Sequence, residues 1–162
     1  MDKLTGHAVC FGKNIDTDQI YPGRFLDEID HKIIGGHCFA DYSDEVHRAL
    51  HGCVIVAGTN FGCGSSREHA IISLINAGVK GVTAKSFARI FFRNAINLGF
   101  PLIICPDLPE DISNGETINL DYGSGIVTLP ARGKEFHGEQ PGEYILDIMR
   151  AGGIKPLMMN EE

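Results

Sequence analysis

Residues 54–105 read VIVAGTNFGCGSSREHAIISLINAGVKGVTAKSFARIFFRNAINLGFPLIIC, and the punctuation of this stretch decides the fold. The apolar run Val54 to Ala57 has the length of a buried strand. Ala70, Ile71, Leu74 and Ile75 then recur at helical spacing and predict a helix over 66–77. Gly78 falls just past its end, where a glycine can take the left-handed conformation that stops a helix. The pattern repeats with a strand at 81–84, a helix at 87–98 closed by Gly99, and a strand at 102–105. Strand and helix in alternation imply an α/β fold with a mostly parallel sheet and right-handed crossovers.

Upstream, a strand is expected around His7 to Phe11. Asp27 to Leu50 reads as a polar, glycine-broken connection with a short helix near Ser43 to Leu50. Downstream the character changes. Thr117 to Leu120 and Ile126 to Leu129 flank Asp121-Tyr122-Gly123-Ser124-Gly125, a hairpin signal. A final amphipathic helix from about Pro141 to Ala151 starts near a proline and stops at Gly152-Gly153. No repeat, low-complexity stretch or long linker divides the chain, so 1–162 is expected to be one domain.

Composition narrows the function classes. With 43% hydrophobic and 22% charged residues, the chain is neither disordered nor a membrane span. No apolar run approaches about 18 residues, and the N-terminus lacks a signal-peptide pattern, so a cytoplasmic location is expected. The net charge of −7, from 14 basic and 21 acidic residues, argues against nucleic acid as a partner.

Between the first strand and helix of the quoted stretch lies Gly58-Thr59-Asn60-Phe61-Gly62-Cys63-Gly64-Ser65-Ser66-Arg67-Glu68-His69. Glycines let a ligand approach the backbone, and a helix N-terminus offers unpaired N–H groups and partial positive charge, so the loop suits an anion. A purely structural reading stands beside this one, because Ser65-x-x-Glu68 also fits a capping box. Capping leaves the second serine unexplained, and Arg67 would then sit in the first helical turn, which the helix dipole disfavours. A Walker loop is excluded because Ser65, not Lys, follows Gly64. A dinucleotide fingerprint fails because Arg67 stands where its third glycine belongs.

Five cysteines, Cys10, Cys38, Cys53, Cys63 and Cys105, show neither a disulfide framework nor zinc spacing. His47 and His51 lack the glutamate of a zincin pair, and Asp16 and Asp18 lack the remaining ligands of a calcium loop. No metal ligand set is therefore expected. Arg89 and Arg93, spaced i, i+4, share one face that would either pack, hold substrate carboxylates or meet a partner chain.

Three segments together resemble a known family. Asn60 to Ala70, Ala84 to Asn97, and Asn14 to Ile20 followed by Pro22, Arg24, Phe25 and Leu26 are similar to the swivel domain of the aconitase superfamily, most closely its free-standing 3-isopropylmalate dehydratase small-subunit family. The resemblance implies a three-layer β/β/α swivel fold and a hydro-lyase that acts only with a large subunit. The iron–sulfur (4Fe–4S) cluster would lie on that subunit, with no cofactor bound by this chain. Carried over by motif, Ser65 is the base, Ser66 a hydrogen-bond donor and Arg67 the clamp for a carboxylate of a di- or tricarboxylate substrate. Gly62, Gly64, Leu26 and Asp27 are expected at the substrate, with Thr17, Asp18, Glu68, His69, Arg89 and Arg93 supporting them.

In that family the loop after Leu26 faces the substrate's variable group. Here it reads Asp27-Glu28-Ile29-Asp30-His31-Lys32, whose acids would oppose a third carboxylate if they pointed inward. A 3-isopropylmalate substrate in leucine biosynthesis is therefore ranked ahead of homoaconitate and other substituted malates. A non-catalytic carboxylate-binding module is the alternative of another class.

Overall fold

The computed structural model describes residues 2–160. In chain order these form β1 (Lys3–Cys10), α1 (Thr17–Ile20), α2 (His31–Gly36), α3 (Asp44–Ala49), β2 (Cys53–Ala57), α4 (Glu68–Asn76), β3 (Gly81–Ala84), α5 (Arg89–Asn97), β4 (Leu102–Ile104), β5 (Thr117–Asp121), β6 (Ile126–Leu129), β7 (Lys134–His137), α6 (Glu143–Ala151) and α7 (Ile154–Asn160).

The described strands form one sheet in the order β4-β3-β2-β1-β5-β6-β7. Strands β1 to β4 are parallel, with Val9 opposite Ile55, Ile55 opposite Val82 and Thr83 opposite Ile103. The β5–β6–β7 meander joins antiparallel at β1, with Leu4 opposite Leu120 and Leu120 opposite Val127.

Alternation along the parallel strands divides their side chains between two cores. On one face Val9, Ile55, Ala57, Val82 and Leu102 pack with Ile34 of α2, Ile71 and Leu74 of α4, and Phe91 and Ala95 of α5. On the other, Ala8, Val54, Val56 and Ile103 meet Ile118, Leu120, Val127 and Leu129 of the meander. Val54 and Val127 share a core although two strands separate β2 from β6, so the sheet curls back over itself. The result is the β/β/α layering of a swivel domain. Each fully buried aliphatic side chain contributes about 1.5–3 kcal/mol to this arrangement. Beyond β7, the Glu139 N–H donates to Ile104 O at 2.8 Å and brings the chain back to the edge strand β4.

Where the boundaries differ from sequence expectation, long-range pairing is the cause. Strand β1 begins at Lys3 rather than His7, because Lys3 to His7 are held by β5, over a hundred residues away in sequence. Helices α4 and α5 each start two residues later than helical periodicity places them: Arg67 is extended as the N-cap of α4, and Phe87 bridges to Phe61 ahead of α5. Strand β7 and helix α7 are found only in the structure. The close approach of α5 to the end of α6 depends on Gly99, where an added Cβ would lie 2.2 Å from the carbonyl carbon of Gly152.

Arg132, between β6 and β7, ties the segment after β4 to the meander, donating to Asp111 Oδ1 at 2.8 Å and to both Glu116 oxygens at 2.8 and 2.9 Å. Hydrogen bonds from its guanidinium hold both carboxyls below their usual range. A carboxyl whose folded pKa is lowered stabilises the fold fully above the unfolded range near about 4, and that stabilisation is lost as pH falls through the lower folded values. Melting temperature followed by circular dichroism should therefore fall as pH drops below about 4. Arg132→Met should flatten the fall; parallel curves would show that the cluster contributes nothing to acid stability.

Candidate active site

Because β1, β2 and β3 are parallel neighbours, their C-terminal ends share one edge of the sheet, and the loops that leave them meet there. They are laced by backbone hydrogen bonds. Gly58 N donates to Gly12 O (3.1 Å), Asn14 N to Thr59 O (2.8 Å), Gly62 N to Ile15 O (2.7 Å) and Thr17 N to Cys63 O (2.9 Å). On the other side Phe61 N donates to Ser86 O (3.1 Å), and Ala88 N to Phe61 O (2.9 Å). Asn14 and Asn60, both at positive φ, are joined through their side chains at 3.1 Å. Phe61, fully buried, meets the edges of Phe87 and Phe91 at centroid distances of 6.0 and 5.4 Å and anchors the loop from below. Gly62 has no substitute here: its φ is +85°, and an added Cβ would lie 2.2 Å from Phe91 Cγ.

The structure removes the capping-box reading of Ser65 and Glu68. Helix α4 starts at Glu68 with Arg67 as its N-cap, in extended conformation, and no side chain caps it. The capping box present is that of α1, where Asp16 Oδ1 accepts from Asp18 N (2.7 Å) and Gln19 N (3.2 Å) while Gln19 reaches back to Asp16 N (2.9 Å). Ser65 is instead fixed through its carbonyl, which accepts from the hydroxyl of Thr17 at 2.7 Å. Thr17 is 2% exposed and Ser65 is exposed. The Ser65 hydroxyl has no hydrogen-bond partner among the described residues. Ser66 Oγ accepts from Asn94 Nδ2 at 3.3 Å.

Arg67 also departs from expectation. It lies before the first helical turn, and its charge is already matched: Nη1 donates to Asp18 Oδ1 at 2.8 Å and to Tyr21 O at 3.3 Å. No ligand carboxylate is needed to account for the charge here, because Asp18 supplies the compensation. Asp18 Oδ1 also accepts from Gly23 N at 2.8 Å, and the Arg67 hydrogen bond, followed by the Gly23 one, holds the Asp18 carboxyl below its usual range. Arg67 keeps Nε and Nη2 free of hydrogen bonds among the described residues, so the pairing orients its fork without consuming it.

A cavity of about 280 Å³ opens at this point, lined among others by Gly62, Gly64, Ser66, Arg67, Arg89 and Asn94. Arg89 lines the cavity and Arg93, one turn along α5, does not; both are exposed. Asn94 was missed by sequence reasoning; its only signal was a lone amide within the otherwise apolar and basic start of α5. A larger cavity, about 370 Å³, flanks the same strand ends on the meander side, with Lys13 and Lys85 at its edge and no serine or arginine in its lining.

Leu26 and Asp27 do not line the 280 Å³ cavity; both are exposed on the neighbouring loop. Arg24 in that loop forms a two-pronged ion pair with Asp41 and lies 4.4 Å over the Phe25 ring, which stacks on His37 at 3.7 Å. Glu28 turns its carboxylate onto its own loop, accepting from Ile29 N (3.2 Å) and Asp30 N (3.1 Å). His69 hydrogen-bonds Glu28 O through Nε2 at 2.8 Å, so it holds this loop against α4 and stays out of the cavity. Glu68 is exposed and lines a separate cavity near Asn97 and Lys155.

Among the described residues no group of three or more His, Cys, Asp or Glu side chains is gathered for a metal. The buried Cys38 and Cys53 thiols are pushed up to about 12 by loss of solvation, and Cys10 to about 11. An iron–sulfur cluster needs three or four gathered thiolates, an arrangement absent among the described residues.

Comparison with known proteins shows what the chain is similar to. The Aconitase C-terminal domain family matches residues 39–105. The 2,3-dimethylmalate dehydratase small subunit of Eubacterium barkeri is 44% identical over 156 residues, covering 94% of each chain. The 3-isopropylmalate dehydratase small subunit of Caldicellulosiruptor bescii is 43% identical over 157 residues, covering 96% of this chain and 95% of that one. A crystal structure of 3-isopropylmalate dehydratase from Methanocaldococcus jannaschii superposes with a TM-score of 0.90 at 38% identity, over 98% of this chain and 95% of that one. Thermococcus kodakaraensis aconitase X, at 18% identity and a TM-score of 0.52, shares the fold alone.

Two substitutions test the lacing. Gly62→Ala should cost more than about 2 kcal/mol in urea unfolding, since strain at positive φ adds to overpacking against Phe91. Thr17→Val, nearly isosteric, removes only the Ser65 tether and should cost about 1 kcal/mol; a cost near zero would mean that the Ser65 carbonyl needs no tether.

Proposed function

Since this chain belongs to the 3-isopropylmalate dehydratase small-subunit family of the aconitase superfamily, we propose that it is the small subunit of a cytoplasmic hydro-lyase that interconverts 2- and 3-isopropylmalate in leucine biosynthesis. The observation that carries this reading is half of an active site: a free serine hydroxyl on a tethered loop beside an oriented guanidinium, both at an open edge.

Isomerisation of a malate by dehydration and rehydration requires a carbon-bound proton to be removed from one carbon while hydroxide leaves the next. The C–H electron pair becomes the alkene bond, and water then adds back with the two positions exchanged. Ser65 Oγ is assigned as the base that takes the proton, and an isolated hydroxyl is a poor one. Its anion is favoured by the start of α4 immediately downstream and by Arg67 two residues on. Arg67, aimed by Asp18, offers its remaining fork to a substrate carboxylate; Ser66, positioned by Asn94, can donate a further hydrogen bond.

Departure of the hydroxyl needs an electrophile. No three metal-ligating side chains are gathered among the described residues, so the iron–sulfur group and its Lewis acidity are assigned to a companion large subunit. The substrate's branched group is assigned to the loop after Leu26. Glu28 is occupied with its own backbone there, Arg24 is paired with Asp41, and Asp27 and Asp30 would oppose a third carboxylate. Homocitrate-type substrates are therefore disfavoured. A second reading, 2,3-dimethylmalate, is favoured by the relative from Eubacterium barkeri.

The test is alkene formation, read by ultraviolet absorbance, from 3-isopropylmalate, 2,3-dimethylmalate and homocitrate. This chain is assayed alone and with its cluster-loaded large subunit under anaerobic conditions. Turnover of 3-isopropylmalate by the mixture alone is the expected result, and preference for 2,3-dimethylmalate would move the assignment to that substrate. Ser65→Ala should lower kcat by at least about 10²-fold, the loss expected of a missing general base. Arg67→Lys should lower kcat/KM by about 10²-fold with melting temperature nearly unchanged, because lysine keeps the charge but not the planar fork. Near-wild-type turnover of either variant would remove that residue from its role.

A further inference from the structure

The arginines of this chain divide into two groups. Arg24, Arg67, Arg132 and Arg150 each pair with a carboxylate of the chain itself, and Arg48 hydrogen-bonds Asp44 O. Arg89 and Arg93 have no ion pair or hydrogen bond among the described residues, in a chain with 21 acidic side chains available. They stand one turn apart on α5, both exposed, with Ile90 between them 54% exposed. Arg89 and Ile90 line the 280 Å³ cavity, while Arg93, about 6 Å further along the helix, is outside its lining.

We infer that the exposed Arg89–Ile90–Arg93 face of α5 is a docking surface for a carboxylate-bearing patch on the companion large subunit, and that it sets how that subunit closes over the Ser65–Arg67 edge. The inference rests on the small-subunit reading above. Charge and chemistry support it. Substrate carboxylates would be reached from within the cavity, which leaves Arg93 with nothing to bind. Arginine flanking an exposed aliphatic side chain is a composition enriched at protein interfaces, because the guanidinium can form paired hydrogen bonds at modest desolvation cost. In a chain of net charge −7, a local positive stripe beside the active edge would also steer an acidic patch into register and keep the rest of the surface from competing.

The experiment measures association of this chain with its cluster-loaded large subunit by biolayer interferometry. Wild type is compared with Arg89→Ala/Arg93→Ala, Arg89→Glu/Arg93→Glu and Arg89→Lys/Arg93→Lys, at about 50 and about 300 mM salt. Both positions are exposed, and unchanged melting temperatures confirm that each variant folds. The alanine pair should raise Kd about tenfold and flatten its salt dependence, the glutamate pair should raise Kd further, and the lysine pair should recover part of the loss. Unchanged Kd and salt dependence, or a large rise in KM at saturating subunit without a change in Kd, would overturn the inference and return these arginines to the substrate. A wild-type complex that assembles but turns over no malate, with the Kd shifts intact, would end the catalytic reading and leave the docking face standing. Failure of the wild type to associate would end both.

Discussion

Everything at the active edge depends on the lacing of three loops by backbone hydrogen bonds between Gly12–Thr17, Gly58–Cys63 and Ser86–Ala88. A loop of small and glycine residues has little side-chain packing of its own to hold it, and its conformational entropy would scatter Ser65 and Arg67 over many positions. Parallel pairing of β1, β2 and β3 brings the three loops to one edge. The buried Phe61 then fixes their depth, and Gly62 permits the turn over Phe91. The lacing satisfies backbone groups that would otherwise be stranded near the core, so the same bonds that stabilise the fold also position the site.

The electrostatics follow from that geometry. Asp18 reaches Arg67 only because Thr17 N and Thr17 Oγ1 clamp α1 against Cys63 O and Ser65 O. The pair is unevenly exposed, with the Arg67 side chain at 20% and the Asp18 side chain at 64%, so the aspartate stays well solvated while the guanidinium is held against the protein. This is an orienting contact more than a stabilising one, since water screens the exposed partner. Nε and Nη2 of the guanidinium, like the Ser65 hydroxyl two residues earlier, are without a hydrogen bond among the described residues.

The loop after Leu26 shows the opposite strategy. Several polar groups in and around it are turned onto neighbours: Arg24 onto Asp41, Glu28 onto its own backbone, His69 onto Glu28 O. Ile29 and Ile33 are left 87% and 47% exposed. Aliphatic side chains are thus presented here although the sequence of the segment is rich in charge.

The alternation of Val54–Ala57, Gly81–Ala84 and Leu102–Ile104 with two glycine-stopped helices was legible in the sequence. Local periodicity and helix-stop chemistry operate within a few residues and need no distant partner. For the same reason the hairpin around Gly123, the short helix after Ser43 and the loop from Gly58 to Arg67 could be placed. Other features were decided by contacts between residues far apart in the chain, which no local pattern encodes. These are the extension of β1 back to Lys3, strand β7 and helix α7, the curling of the meander onto Val54 and Val56, and the late starts of α4 and α5. The site divides in the same way. The candidate residues Ser65, Ser66 and Arg67 could be picked out of the sequence, but their arrangement could not. Only the folded chain sets Thr17 on the Ser65 carbonyl, Asp18 on Arg67 and Asn94 on Ser66, because each of those partners arrives from another strand end or helix.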